Sequence, residues 1–297
     1  MTWLAAFIKN GENPNYQAFL HGVDRVCAEA GARATRHVPA TPDDPVEQAA
    51  LLRDVVAQRP SAILFAPADD HAMAGPVAEA NAAGIPLIGF VNRMAGDFVS
   101  FVGADDEAMA FAEASYLIAA LNGHGKVVLV EGPETAPTSR DRGRGFRRAL
   151  AVAPGITLLG TLPGLYQQAA GRQAMARHLA SHPVIDGVIC TNDSMALGAI
   201  EALRDAGRTA LVVGNNGTIP AAQAVGEGSL LATMDYCGFR MGALAAMAAL
   251  RHLRGEAVPR EILLPAQVIH AGNHAAWLVP VQQRPLPAWP GDPSGSA

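Results

Sequence analysis

Polar and aromatic side chains recur at one place in the local pattern of this sequence, directly after short apolar runs. Such runs predict buried parallel strands, and ligands bind where the carboxyl ends of parallel strands meet loops and helix N-termini. Any single residue of this kind is adequately explained as an N-cap or a solvated loop residue. Their recurrence after successive strands indicates a binding site. The residues are Lys9, Asn10, Asn13, Asn15, Tyr16, Asn92, Arg93, Arg140, Arg142, Tyr166, Asn192, Asp193, Asn215, Asn216, Asp235 and Tyr236.

The sequence contains no catalytic motif that would use these residues. The run 143–145 lacks the third glycine of a phosphate-binding loop, and the run 123–126 leads into a predicted strand instead of a helix. The 9 histidines are dispersed, and neither His-Glu-x-x-His nor Gly-x-Ser-x-Gly occurs. Cys27, Cys190 and Cys237 are too few and scattered for a disulfide framework or a four-ligand zinc site. We therefore expect binding without catalysis, and neither a cofactor nor a metal.

The elements that must position these residues follow a repeated pattern. Apolar runs such as 3–8 and 187–191 predict strands, and they alternate with stretches of helical period. This alternation is typical of doubly wound parallel sheets, and about ten such units exceed what one sheet comfortably holds. The sequence therefore predicts an α/β protein with two Rossmann-like lobes. After residue 282, proline and glycine predict a disordered tail over 283–297.

Composition limits the possible partners. The chain has 297 residues, of which 50% are apolar and 16% are charged, so it can bury a large core. Its net charge is −5 and it has no basic run, which argues against nucleic acid as a partner. No uninterrupted apolar run reaches the roughly 18 residues of a membrane span.

Several segments carry more specific patterns. Two of them are Arg-Asp-Arg-Gly-Arg-Gly-Phe (140–146) and Thr-Asn-Asp-Ser-Met-Ala-Leu-Gly-Ala (191–199). The others are Asn-Pro-Asn-Tyr (13–16) with Gly22, the run 84–93 beginning Gly-Ile-Pro, Val-Gly-Ala-Asp-Asp (102–106) and Val-Gly-Asn-Asn-Gly (213–217). Over about residues 2–270 the sequence resembles the type I periplasmic binding proteins, in the ribose- and galactose-binding branch also used by lac-repressor-type effector domains.

The resemblance implies two lobes joined by three hinge crossovers, with the ligand in the cleft between them. The crossovers are expected near Gly103, near Met234 to Asp235, and near Leu264 to Ala266. The N-terminal lobe would comprise 1–103 and 236–264, and the C-terminal lobe 104–235 and 265–282. Together with the strand-end positions Lys9 and Asn10, the implied ligand-binding residues are Asn13, Asn15, Tyr16, Asn92, Arg93, Arg142, Tyr166, Asn192, Asn216 and Tyr236.

Two of these positions depart from that branch, because Asn92 and Asn216 stand where its sugar binders usually have aspartate. The departure removes two carboxylates that only accept hydrogen bonds. The charges then expected near the cleft are Lys9, Arg93 and Arg142 against Asp193 and Asp235. This balance favours an anionic ligand such as a sugar acid. If Lys9 instead points to the rim and pairs with a neighbouring acid, a neutral sugar or polyol is expected.

The implied function is that of a solute-binding receptor for an importer of the ATP-binding cassette (ABC) type. It would bind a small carbohydrate or derivative by hinge closure and deliver it unaltered to a membrane permease. The alternative is the ligand-sensing domain of a lac-repressor-type transcription regulator, but such regulators begin with a helix-turn-helix, and this sequence begins at its first strand. We expect a monomer in the periplasm, with a signal peptide absent from the sequence.

Overall fold

The computed structural model describes residues 1–182 and 184–291. Its strands and helices alternate as the sequence predicts. In chain order they are β1 (Trp3–Phe7), α1 (Pro14–Glu29), β2 (Arg33–His37), α2 (Pro45–Ala57), β3 (Ala62–Phe65), α3 (Ala74–Ala82), β4 (Leu87–Phe90), β5 (Ser100–Gly103), α4 (Asp106–Ala120), β6 (Gly125–Glu131), α5 (Pro137–Ala151), β7 (Ile156–Pro163), α6 (Gln168–Ser181), β8 (Gly187–Cys190), α7 (Asp193–Asp205), β9 (Leu211–Asn215), α8 (Ile219–Gly226), β10 (Ala232–Asp235), α9 (Gly238–Leu253), β11 (Glu261–Leu263) and β12 (Gln267–His270).

These elements form two lobes, each built on a six-stranded sheet. The first sheet has the order β11-β5-β4-β3-β1-β2 and is parallel throughout. The second has the order β12-β10-β9-β8-β6-β7, with β12 antiparallel to β10 at the edge. Each sheet has a hydrophobic core on both faces, because its central strands are fully buried. The predicted fold class is therefore confirmed.

Between β1 and β12 the chain passes from one sheet to the other at three places. Residues 104–105 lead from β5 to α4, residues 236–237 lead from β10 to α9, and residues 264–266 lead from β11 to β12. The third passage divides the apolar segment 262–269 into two short strands, one in each sheet. Short connections of this kind are the elements that absorb the backbone rotation when two lobes open and close.

The end of the described chain returns from the second lobe to the first. A 3-10 helix at His274–Leu278 contacts α8, and a second at Val281–Gln283 contacts α1. Further along, Leu286 and the buried Trp289 pack on the core of the first lobe, where the Arg251 guanidinium lies 4.7 Å from the Trp289 ring centre. Residues 283–291 therefore pack on the first lobe, whereas the sequence predicts a disordered tail there. The reason is that Leu286 and Trp289 supply apolar surface that the first lobe can bury. Residues 292–297 of that tail lie outside the described residues.

Close packing of α4 against α5 depends on a glycine. A Cβ atom built on Gly145 would lie 2.2 Å from the Glu107 carbonyl oxygen. Any side chain at residue 145 would push the two helices apart. This contact matters for the site described below, since α4 and α5 contribute Asp106 and Arg142.

We expect Gly145→Ala to lower the free energy of unfolding by about 1–3 kcal/mol, which is typical of overpacking. Gly75→Ala is the matched control, because a Cβ atom at that position of α3 would meet nothing within 4 Å beyond its chain neighbours and the adjacent backbone of its own helix. It should stabilise the protein by about 0.5 kcal/mol through the unfolded state. Urea unfolding of both variants measures the difference, and equal stabilities would contradict the packing argument.

Candidate ligand-binding site

A small cavity with about 320 Å³ of empty space, part of it open to solvent, lies between the two lobes, at the carboxyl ends of their strands. Polar and aromatic side chains dominate the lining. The lining residues are Lys9, Asn10, Asn13, Asn15, Tyr16, Asp43, Val91, Thr138, Arg142, Tyr166, Asn192, Asn216 and Tyr236. The structure thus brings together every residue of the implied ligand-binding set except Asn92 and Arg93. The other strand-end residues named from the sequence that do not line the cavity are Arg140, Asp193, Asn215 and Asp235.

The first lobe contributes the N-terminus of α1 to the cavity wall. Asn13 is the N-cap of this helix, and its Oδ1 accepts a hydrogen bond from the Asn15 backbone N–H at 2.9 Å. Pro14 follows at the first helical position, where its missing N–H costs nothing. This cap directs Asn15 and Tyr16 into the cleft, where both side chains are buried.

Lys9 and Asp43 form a buried ion pair in the same wall. The Lys9 Nζ lies 2.8 Å from Asp43 Oδ1, and the two side chains are 3% and 12% exposed. Asn10 Nδ2 donates to the other carboxylate oxygen of Asp43 at 3.1 Å. The Lys9 Nζ also lies 4.8 Å from the ring centre of Tyr166 on the second lobe, within cation–π range. Lys9 therefore both lines the cavity and pairs with a neighbouring acid.

Arg142 on α5 is buried in the opposite wall. Its Nε donates to Asp106 Oδ1 at 2.7 Å, and its Nη1 donates to the Thr191 carbonyl at 2.7 Å. It also donates from Nη1 to Asn216 Oδ1 at 3.3 Å and from Nη2 to the Tyr236 hydroxyl at 3.1 Å. A guanidinium has five N–H groups, so one Nη2 N–H has no partner among the described residues and is available to a ligand.

The Tyr236 hydroxyl connects both lobes at the second crossover. It accepts hydrogen bonds from Asn15 Nδ2 at 3.2 Å and from Arg142, and it donates to Asn216 Oδ1 at 3.1 Å. These three bonds use its full capacity as one donor and two acceptors. We infer that the Tyr236 ring packs against a ligand, and that the side chains around Tyr236 make the direct hydrogen bonds to that ligand.

Tyr166 and Asn192 complete the second-lobe wall. The Tyr166 hydroxyl lies 2.9 Å from Thr138 Oγ1, and the Tyr166 carbonyl accepts from Asn192 Nδ2 at 3.1 Å. Asn192 is also the N-cap of α7, because its Oδ1 accepts from the Met195 N–H at 2.9 Å. Burial raises the pKa of the hydroxyls of Tyr16, Tyr166 and Tyr236 above its ordinary value of 10.0, so all three stay protonated at neutral pH.

Backbone strain is concentrated in the cavity wall. Asp43, Val91, Tyr166 and Asn216 have φ values of 62°, 58°, 59° and 129°, which disfavour side chains other than glycine. The value at Val91 is the least expected, because its side chain is branched at Cβ. Strained residues of this kind cluster at ligand sites in many proteins and persist where the surroundings fix them.

The two predicted site residues that do not line the cavity have other partners. The Asn92 side chain is buried and its Nδ2 donates to the Pro67 carbonyl at 2.6 Å. Arg93 points to the edge of the first sheet, where it pairs with Glu261 at 2.5 Å and lies 4.1 Å from the ring centre of Phe101. The chain turns at the left-handed Val91, so both side chains leave the direction of β4.

The expected positive balance of the cleft is also corrected. Arg93 lies outside the cavity, and Asp43, which the sequence did not indicate, lies inside it next to Lys9. The Arg142 guanidinium is neutralised by Asp106 at 2.7 Å. Each cation of the cavity therefore has its own carboxylate, and the site has no uncompensated positive charge.

Asp43, Val91 and Thr138 are the lining residues that sequence analysis missed. Asp43 follows β2, a half-exposed edge strand whose Arg-Ala-Thr-Arg-His sequence is not apolar. Thr138 lies two residues before the pattern 140–146, so its nearness to that pattern was the available signal. In the described ranges, no group of three or more histidine, cysteine, aspartate or glutamate side chains is arranged to hold a metal ion.

Two lobes with a small polar cavity between them have the architecture of a ligand receptor. In agreement, a family model described as a periplasmic binding protein domain matches residues 4–257. The chain therefore belongs to the periplasmic binding protein family. None of the helices in the described ranges is long and apolar enough to cross a membrane.

Known proteins of this kind are similar over most of the chain. The ribose import binding protein of Salmonella typhimurium is 30% identical over 258 residues, 86% of this chain and 86% of that protein. An ABC transporter solute-binding protein from Agrobacterium vitis, solved with α-D-tagatopyranose, has 25% identity and a TM-score of 0.86 over 92% of this chain and 95% of its own. One from Actinobacillus succinogenes, solved with D-allose, shares the fold at 23% identity, with a TM-score of 0.88 over 93% and 100%.

Asp235 ends β10 directly before the second crossover and has an unusual protonation equilibrium. Burial raises the pKa of this carboxyl from 3.8 to about 6. Hydrogen bonds from Trp277 Nε1 at 2.6 Å and from the Cys237 N–H at 2.5 Å oppose the shift. The folded protein therefore keeps the Asp235 proton at pH values where the unfolded chain has lost it.

Because the pKa of Asp235 is higher in the folded state, its contribution to the free energy of unfolding is fully present below about pH 3.8. It is lost as the pH rises through about 6. The change amounts to about 3 kcal/mol. Between about pH 4 and pH 7, urea unfolding should show a loss of stability that is about 3 kcal/mol larger in the wild type than in Asp235→Asn. Asp205→Asn on the exposed end of α7 is the control and should behave as the wild type. The same pH dependence in Asp235→Asn and wild type would contradict the assignment.

Proposed function

We propose that this protein is the sugar receptor of an ABC importer: it binds one small neutral sugar or polyol between its lobes and delivers it unaltered to a membrane permease. The observation that supports this proposal most strongly is the lining of the cavity between the lobes. Its wall combines amides and hydroxyls that hydrogen-bond to sugar hydroxyls with tyrosine rings that cover the C–H faces of a sugar ring.

The charges of the cavity favour a neutral ligand over a sugar acid. The Lys9–Asp43 pair and the Arg142–Asp106 pair are each internally compensated and buried. A ligand carboxylate would have to compete with Asp43 for Lys9 or add an unpaired charge to a desolvated site, which is costly. Neutral hydroxyls can accept from Lys9 and donate to Asp43 without breaking the pair.

Hinge closure is the proposed mechanism. The first lobe contributes Asn13 and Tyr16 to the cavity, and the second contributes Arg142 and Asn192, so a ligand gains its full set of contacts only when the lobes meet. The ligand then shifts the population toward the closed state by its differential affinity for that state. Rotation about residues 104–105, 236–237 and 264–266 would open the cleft for entry and release.

The cellular setting follows from the family and from the site. The relatives reported above are import binding proteins, which supports a periplasmic location and a permease partner. We further propose that the protein binds its ligand as a monomer. The net charge of −5 supports the absence of a nucleic-acid partner.

No residue of the cavity is assigned a catalytic role, and the bound sugar should be recovered with its mass unchanged.

A thermal-shift panel tests the ligand class. We expect at least one of D-ribose, D-allose, D-tagatose and xylitol to raise the Tm by about 5 °C at a concentration about 100 times its Kd, because it binds only the folded state. The acids D-ribonate and D-galacturonate should give smaller shifts. Arg142→Lys keeps a cation beside Asp106 but loses the forked donor, so it should bind the same neutral sugar at least tenfold more weakly.

Arg172→Lys on the exposed face of α6 is the matched control and should shift as the wild type does. A rise in Tm with the acids alone would contradict the argument from the cavity charges, and it would support an anionic ligand instead. Shifts by none of these compounds would contradict the sugar assignment itself.

A further inference from the structure

Arg140 and Asp70 form an ion pair that joins the lobes outside the cavity. Arg140 lies in the first turn of α5 on the second lobe, and Asp70 lies in the loop between β3 and α3 on the first. The Arg140 Nη2 is 2.6 Å from Asp70 Oδ2. Neither residue lines the cavity, so neither contacts a ligand there.

Each side chain is held in place by its own lobe. The Arg140 Nη1 donates to the carbonyls of Glu134 and Thr135, at 3.1 Å and 3.0 Å, in the loop before α5. The loop that presents Asp70 is fixed by Asp69, whose Oδ1 accepts from the N–H groups of His71 and Ala72 at 2.9 Å and 2.8 Å. Both partners are therefore pre-oriented before they meet, which lowers the entropic cost of the contact.

The pair is more buried than an ordinary surface ion pair. The Arg140 and Asp70 side chains are 34% and 19% exposed. Asp70 Oδ1 is buried and has no hydrogen-bond partner among the described residues, so Arg140 alone compensates this carboxylate. When the lobes separate, Asp70 returns to water and the pair is lost.

We propose that Arg140 and Asp70 are a latch across the cleft: they are positioning residues that stabilise the closed state and thereby set the affinity for the sugar and its release rate without touching it. This proposal rests on the proposed function. A contact made only in the closed state shifts the open–closed equilibrium, and the apparent Kd changes with the closed population.

The effect is expected in dissociation. Arg140→Met leaves Asp70 buried without a partner, so it should raise the Kd about threefold to tenfold, mostly through a faster koff. Asp70→Asn removes the charge and should raise the Kd less. The double variant should bind no more weakly than Arg140→Met alone, because the two side chains act through one contact.

The test is a double-mutant cycle read by calorimetry and stopped-flow kinetics, with the neutral sugar that gives the largest shift in the thermal panel as probe. Arg172→Met is the control, because the Arg172–Asp205 pair lies within the second lobe and should not affect the Kd. Raising the salt concentration to about 0.5 M should weaken binding more in the wild type than in the double variant.

Non-additive losses that appear in koff, with an unchanged Arg172→Met control, support the latch. Single-variant losses that add up in the double variant, or equal koff values in all variants, overturn it and leave the sugar receptor intact. A wild type that binds no sugar overturns the proposed function and the latch with it.

Discussion

The burial of the Arg142 guanidinium is the constraint on which the rest of this structure depends. A cation removed from water must be compensated, and here Asp106 does so at 2.7 Å while Thr191, Asn216 and Tyr236 accept three further hydrogen bonds from it. These partners come from α4, from the ends of β8 and β9, and from the second crossover. One side chain thus fixes the relative positions of a helix pair, two strand ends and a hinge, which is why the close α4–α5 contact at Gly145 matters to the binding site.

The interface between the lobes is polar, unlike the four cores that support the sheets. Asn15 reaches the Tyr236 hydroxyl, Lys9 faces the ring of Tyr166, and Asp70 meets Arg140. When the lobes separate, the polar groups of such contacts form hydrogen bonds to water instead, whereas exposing buried apolar surface to water costs free energy. An interface built in this way permits two states of similar free energy, and a ligand with modest differential affinity can then select the closed one.

Most of the fold could be predicted from sequence because its strands are buried on both faces and read as apolar runs. β2 and α2 were not predicted, since β2 is an edge strand with half-exposed polar residues. Asp43 lies between these two elements and was therefore not predicted as a site residue. The strand-end pattern predicted where the cavity lies but not where each side chain points. Arg93 and Asn192 both follow a strand, yet the left-handed backbone at Val91 turns the Arg93 side chain toward Glu261. The charge balance of the cavity depends on where these side chains point. The choice between an anionic and a neutral ligand could therefore not be made from residue types alone. The segment 283–291 shows the same limit, because two apolar side chains, Leu286 and Trp289, are enough to pack a segment rich in proline on the first lobe.

Small-angle X-ray scattering with and without a saturating neutral sugar tests the central claim most directly, which is that the cavity closes between the lobes around its ligand. We predict a smaller radius of gyration for the sugar-bound wild type, and the same decrease in Arg142→Lys only at a sugar concentration at least about tenfold higher. An identical scattering profile at a concentration where calorimetry shows the wild type saturated would contradict closure, and with it the role assigned to the cavity.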